Sequence, residues 1–184
     1  MGRGCLAGPV VAAAVIFKST NDIKLYQDSK AIDQEKRETL SASIHLHHHV
    51  SIGWASVEEI DQINILQATF LAMRRAIEGL HLLDVGTVLV DGRDMIPKLE
   101  RHQQQAIIKG DQHVSLISAA SIAAKVARDQ FMTKLSAEVA GYGFEKHKGY
   151  GTLFHREQIQ KIGPSIWHRK TFGGVKEYLA KSAL

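Results

Sequence analysis

The apolar positions of the chain change period repeatedly, and each change predicts an element. Residues 8–17 (GPVVAAAVIF) are apolar and β-branched without alternation, the pattern of a strand covered on both faces. A polar connector carrying Asp28-Ser29-Lys30 follows. Asp33 stands where a capping side chain would open a helix over 34–47, and 49–57 then reads as a strand. Ser56 and Glu59 have capping-box spacing, and Ile60, Ile63, Leu66, Phe70, Met73 and Ile77 recur at intervals of three and four, which predicts one long amphipathic helix. Gly79 and Gly86 bracket its exit. Short apolar runs at 87–90 and 106–108 predict two more strands, ending at Asp91-Gly92 and Lys109-Gly110-Asp111. An Ala-rich stretch from 118 to about 139 predicts a helix, and 141–151 is a Gly/Tyr/Lys loop. Thr152 is placed to cap a last helix that Gly163-Pro164 ends. Strand alternating with helix puts the chain in the α/β class, with a mixed sheet flanked by helices and a small helical C-terminal segment.

Composition bounds this picture without changing it. With 184 residues, 45% of them apolar, and 3 prolines, the chain is ordinary globular material rather than a disordered or collagen-like one. The apolar run near the N-terminus is broken by Gly8 and Pro9 and is too short to span a membrane. Cys5 stands alone, so no internal disulfide can form, which suits a reducing, cytoplasmic setting. The net charge of +4 is weak as a sign of a polyanionic partner, but its distribution is not even. From Lys134 to Lys176 there are eight basic residues against three acidic ones, so the C-terminal quarter is the electropositive part. The expected division is therefore a mixed-sheet part over residues 1–140 and a basic helical segment over 141–184 packed on it.

Several residues have the chemistry of a site. Asp91 and Asp111 each follow a predicted strand, where side chains of α/β proteins face a crevice, and two such carboxylates suit Mg²⁺ or Mn²⁺. Both also lie in turn dipeptides with glycine, so simple turn capping is the competing reading. Ser118, Ser121, Lys125 and Arg128 recur at helical spacing, offering hydroxyls and cations on one face, either beside phosphates or as a solvated stripe. Gly2-Arg3-Gly4 sets one guanidinium in a permissive backbone. Lys146-His147-Lys148-Gly149-Tyr150-Gly151 places an aromatic ring among cations, a loop able to stack a sugar or base, or plain surface. His45, His47, His48 and His49 read as a solvated helix end rather than a zinc site, since no Cys or carboxylate lies at ligand spacing. Cys5 reads as a small packing residue.

Taken in order, these pieces resemble the type 2 ribonucleases H, specifically bacterial ribonuclease HII. The matching runs are residues 2–16 (GRGCLAGPVVAAAVI), Asp28-Ser29-Lys30, residues 59–66, Val90-Asp91-Gly92, Lys109-Gly110-Asp111, residues 117–126, Lys148-Gly149-Tyr150 and His168-Arg169-Lys170, nearly the whole chain. The resemblance implies a ribonuclease H-like fold and an endonuclease that cuts the RNA strand of RNA/DNA hybrids and single ribonucleotides embedded in duplex DNA. It implies two Mn²⁺ or Mg²⁺ ions in a cluster of four carboxylates, and 5′-phosphate and 3′-hydroxyl products. By the same resemblance Asp91 and Asp111 are metal ligands, and Gly2, Arg3 and Gly4 read the 2′-hydroxyl at the ribonucleotide junction. Tyr150 then packs against the neighbouring sugar, with Lys148 beside it, and Ser118, Ser121 and Lys125 lie near phosphates. A monomer is implied, with no membrane partner.

The chain departs from the family at one place. There the Gly-Arg-Gly motif is preceded by an Asp-Glu pair and one spacer residue, and here Met1 stands at the spacer. By the resemblance, residues 1–140 are then a catalytic domain whose first strand is incomplete and which lacks two of the four carboxylates, which points either to an internal start or fragment of a longer protein or to a truncated, inactive chain. The competing functions are a catalytically dead hybrid-binding protein and, on the same fold, another two-metal nuclease such as a junction resolvase.

Overall fold

The computed structural model describes residues 1–18, 26, 32–81, 86–99 and 103–183, so the Asp28-Ser29-Lys30 motif lies outside the described residues. Strands β1 (Val10–Ile16) and β2 (His49–Ala55) pair with each other, and β3 (Val88–Asp91) pairs with β4 (Gln104–Ile107). Helices α1 (Gln34–His47), α2 (Val57–Glu78), α3 (Gly110–His113), α4 (Ser115–Glu138), α5 (Phe144–His147) and α6 (Leu153–Ile162) complete the order, with a 3-10 helix at Lys176–Ala183. This is the mixed α/β architecture expected. Among the described residues no helix is long and apolar enough to cross a membrane.

The local signals explain where elements begin. The Asp33 carboxylate accepts the Lys36 amide at 2.8 Å and caps α1. At α2 the capping box closes both ways: Glu59 accepts the Ser56 amide at 2.8 Å and Ser56 accepts the Glu59 amide at 3.2 Å. Thr152 caps α6 through the His155 amide, and Gly163 ends it. Helix α4 begins at Ser115, a turn before the Ala-rich stretch, and β4 begins at Gln104, ahead of its apolar run.

Two sequence expectations are corrected. Helix α2 is not one continuous stripe. Asn64 breaks it with φ 67° and ψ 165°, and its Oδ1 accepts the amides of Leu66 and Gln67, so a second helix starts there with its own cap. Ile63 and Leu66, flanking the break, are exposed, whereas Ile60 and Phe70 are buried. The histidine run is also not wholly a solvated helix end. His48 is 3% exposed, stacked on Phe17 with ring centroids 4.2 Å apart and hydrogen-bonded to the Tyr26 hydroxyl at 3.2 Å.

The chain forms two compact units. The first comprises Met1–Val10, Ala55–Thr69 and Ala127–Leu184, and the second Val11–Trp54 and Phe70–Val126. In the first, Leu6, Ala7, Met132, Leu135, Phe144 and Ile159 form the heart of one apolar cluster. In the second, Tyr26, Ile44, Ala119 and Ile122 form one cluster, and Phe70, Val90, Ile96 and Leu99 another. Each large apolar side chain fully withdrawn from water contributes about 1.5–3 kcal/mol, so these clusters dominate the stability of their units.

Candidate active site and nucleic-acid interface

In the second unit, β3 and β4 run parallel with Val88 beside Gln104 and Asp91 beside Ile107. Parallel pairing brings the carboxyl ends of both strands together, so the residues just beyond them meet. The Gly92 amide bonds to the Ile107 carbonyl at 3.0 Å. Lys109 then takes a left-handed conformation, φ 55°, and turns the chain into α3. Gly110 is fixed by packing, because a Cβ there would stand 2.5 Å from the Ile117 side chain of α4. Asp111 follows at the first turn of α3, 6% exposed, and its amide points to the Asp91 carboxylate at 3.4 Å. Asp91 itself is exposed.

The Asp111 backbone amide thus meets the Asp91 carboxylate, with Asp91 exposed and Asp111 buried. Hard oxygen donors placed this way fit a single Mg²⁺ or Mn²⁺ that keeps several waters. Among the described residues no group of three His, Cys, Asp or Glu side chains is arranged to hold a metal.

The helical face expected from Ser118, Ser121, Lys125 and Arg128 is only partly open. Ser118 is 1% exposed, and no hydrogen-bond partner for its hydroxyl is found among the described residues. Ser121 and Lys125 are half-buried. Arg128 is 1% exposed and its donors go to backbone carbonyls, so it offers nothing to a phosphate. A sequence signal for this existed: Ala124, Arg128, Met132 and Leu135 follow one another at helical spacing, and all four are buried.

In the first unit, Cys5 bridges antiparallel to Tyr150 and Ala7 to His168, which sets the Gly2-Arg3-Gly4 loop against the Lys148-Gly149-Tyr150 loop. The Leu6 amide bonds to the Gly149 carbonyl at 2.8 Å. Arg3 and Gly4 are exposed, and Tyr150 is 43% exposed. A Cβ on Gly4 would meet nothing within 4 Å, so no packing inside the protein requires a glycine there. Burial pushes the Tyr150 phenol above its usual range, with nearby Cys5 adding to the effect and Arg128 opposing it.

Histidines that carried no role in the sequence reading hold the tyrosine loop. His155 and His168 are fully buried with their Nε2 atoms 3.0 Å apart. His168 Nδ1 accepts the Ser165 amide at 2.9 Å, so its proton lies on Nε2 and is donated to His155 Nε2. His155 is then protonated on Nδ1, which donates to the Tyr150 carbonyl at 2.9 Å. Burial pushes His155 down to about 4 and His168 to about 3, so both are neutral at pH 7. The ring of His147 stacks on His155 at 4.5 Å. Arg169, quoted only as part of a motif, lies buried beneath the glycine loop.

The comparisons agree with this architecture. The family model described as Ribonuclease HII matches residues 1–173. Ribonuclease HII of Pelagibacter ubique is 47% identical over 97% of this chain and 95% of its own length. Among solved structures, the PCNA:ribonuclease HII complex of Archaeoglobus fulgidus matches with a TM-score of 0.80 at 24% identity, covering 94% of this chain and 92% of that one. The Bst ribonuclease HIII solved in complex with Mn²⁺ matches with a TM-score of 0.71 at 18% identity, covering 99% of this chain and 68% of that one. These matches place the parallel strand ends and the Gly-Arg-Gly loop on a ribonuclease H-like fold and favour a nuclease over a non-catalytic binding protein. With nearly its full length matched at close to half identity, the chain belongs to the ribonuclease HII family, hydrolases of the ribonuclease H type.

Proposed function

We propose that the protein cuts the RNA strand of RNA/DNA hybrids and single ribonucleotides embedded in duplex DNA, leaving a 5′-phosphate and a 3′-hydroxyl. The observation that carries the junction-specific part is the antiparallel bridge between Cys5 and Tyr150. It sets an exposed guanidinium, a glycine with open space above it, and a half-exposed phenol ring on adjoining loops. A glycine that no packing requires lets a ligand backbone come close, and an aromatic ring beside it can pack on a sugar. The 2′-hydroxyl is the group that distinguishes RNA from DNA at a single residue, so this pair of loops is where it is read.

Asp91 and Asp111 hold a divalent cation, Mn²⁺ or Mg²⁺, through oxygen donors; a two-ion arrangement draws on further ligands beyond these two. Divalent ions, when bound, supply charge neutralisation at the scissile phosphate and activation of the attacking water. Lys148, Ser121 and Lys125 contact the phosphates of the substrate, with Ser118 on the same helix as Ser121 and Lys125. In this reading residues 1–140 carry the chemistry and the basic segment 141–184 binds the duplex. The protein works as a monomer in the cytoplasm.

The test is a labelled duplex with one embedded ribonucleotide, incubated with the 184-residue chain and Mg²⁺ or Mn²⁺. Cleavage on the 5′ side of the ribonucleotide is expected. Asp91→Asn should slow it by more than the ~100-fold that changes around metal ligands cost. A duplex bound but left intact would return the binding-protein reading, and an Asp91→Asn rate equal to wild type would remove Asp91 from the metal site.

A further inference from the structure

Among the described residues, Arg128 and Arg169 are the two largest fully buried side chains, at 1% and 0% exposure. Their guanidiniums are bound by backbone. Arg169 Nη2 donates to the carbonyls of Gly2 at 2.7 Å, Gly8 at 2.8 Å and Pro9 at 3.3 Å. Its Nη1 donates to the Arg3 carbonyl and its Nε to that of Gly8, both at 3.0 Å. Arg128 donates to the carbonyls of Pro9 and Ala7 at 3.0 Å and of Lys148 at 2.8 Å. Among the described residues neither guanidinium is hydrogen-bonded to a carboxylate. Burial pushes Arg169 down to about 10, with Arg128 opposing its charge as well, and it stays protonated at pH 7.

Burying two cations side by side is expensive, and apolar residues of the same volume would serve a core as well or better. What apolar residues cannot do is gather five carbonyls of the 2–9 segment into one place. A planar guanidinium presents five donors in a fixed fork, so it sets the direction of each carbonyl it binds. Here the fork holds the inward carbonyls of Gly2 and Arg3, while the amides of Arg3 and Gly4 and the Arg3 side chain have no hydrogen-bond partner among the described residues. Arg128 ties in Lys148, two residues before Tyr150. The carbonyls of Gly2 and Arg3 are thus spent on buried guanidinium, while the donors of Arg3 and Gly4 stay open.

We infer that Arg128 and Arg169 are positioning residues that set the 2–9 loop for ribonucleotide recognition, by binding the carbonyls of Gly2, Arg3, Ala7, Gly8 and Pro9 and leaving the donors of Arg3 and Gly4 open. The inference rests on the ribonucleotide-reading function proposed above. Lysine keeps the charge in each position but not the fork, so Arg169→Lys and Arg128→Lys should loosen the loop without emptying its electrostatics.

The experiment measures binding in EDTA, so that no divalent ion contributes, to a duplex with one embedded ribonucleotide and to the matched all-DNA duplex. Arg169→Lys should lower the ratio of the two affinities about tenfold, the effect of one misplaced charge-assisted hydrogen bond, with all-DNA binding changed less than about twofold. Circular dichroism confirms folding, and Arg128→Lys gives a second variant if the first fails to fold. Hydrogen exchange of the wild-type chain needs no variant: the Leu6 and Gly8 amides, bonded to the Gly149 and Trp167 carbonyls, should exchange as slowly as the core of α4. An unchanged ratio in a folded variant, an equal fall on both duplexes, or rapid exchange at Leu6 and Gly8 overturns the positioning role. A wild-type chain that does not distinguish the duplexes overturns the ribonucleotide reading instead.

Discussion

At Gly2 the backbone and the core make the same demand. Its φ of +82° is one that L side chains rarely adopt, and a Cβ there would stand 2.1 Å from Arg128 Nε. That guanidinium is held by three carbonyls and cannot yield. Gly2→Ala should therefore cost about 1–3 kcal/mol, read as a lower urea midpoint, and an unchanged midpoint would mean that the loop does not sit on Arg128. Gly4, two residues on, has open space and no such demand, so Gly4→Ala should leave the urea midpoint unchanged. A sequence shows both glycines as the same letter. Only the neighbour that each one meets, a buried guanidinium or nothing, separates a packing glycine from one that leaves room for a ligand.

Among the elements, α2 tests how far periodicity reaches. Its start was legible because a capping box is a local hydrogen-bond pattern, formed by residues three apart. Its interruption was not, because Asn64 is compatible with a helix until its side chain caps the next one. The expected effect of Asn64→Ala is a loss of about 1–2 kcal/mol, from the lost cap and from a side chain left at φ 67°. Asn64→Gly loses the cap but not the backbone freedom and should cost less, so comparing the two urea midpoints separates cap from strain. Equal midpoints for both variants would show that the break carries no strain. The strands at 88–91 and 104–107 were easier: short apolar runs ending in Asp91 and in Lys109-Gly110-Asp111 predicted that both carboxylates follow strands. That these strands are parallel neighbours, so that their ends coincide, is a matter of pairing partner, which no local run encodes.

For the whole molecule, the buried imidazoles make stability depend on pH. His155 and His168 are held down to about 4 and about 3 by burial, against 6.5 in an unfolded chain. Below pH 6.5 the unfolded chain takes up protons that the folded chain refuses, so stability falls with pH until the folded values are reached. Each histidine contributes at most roughly 1.4 kcal/mol per pH unit to that slope. Urea unfolding between pH 7 and 4.5 should show the decline, and His168→Gln should make it shallower; an identical slope would assign the loss to other groups. The sequence by itself determined the α/β class, most element starts, the two carboxylates and the Gly-Arg-Gly and Lys-Gly-Tyr loops, because capping, periodicity and turn chemistry act between residues close in the chain. Tertiary structure alone decided that Arg128 faces inward and is no phosphate ligand, that Arg169 clamps a loop more than 150 residues away, and that His155 and His168 share a proton beneath Tyr150. Those outcomes depend on which groups meet when distant segments close a core, where an unpaired charge or imidazole must find partners that its own neighbours in sequence do not supply.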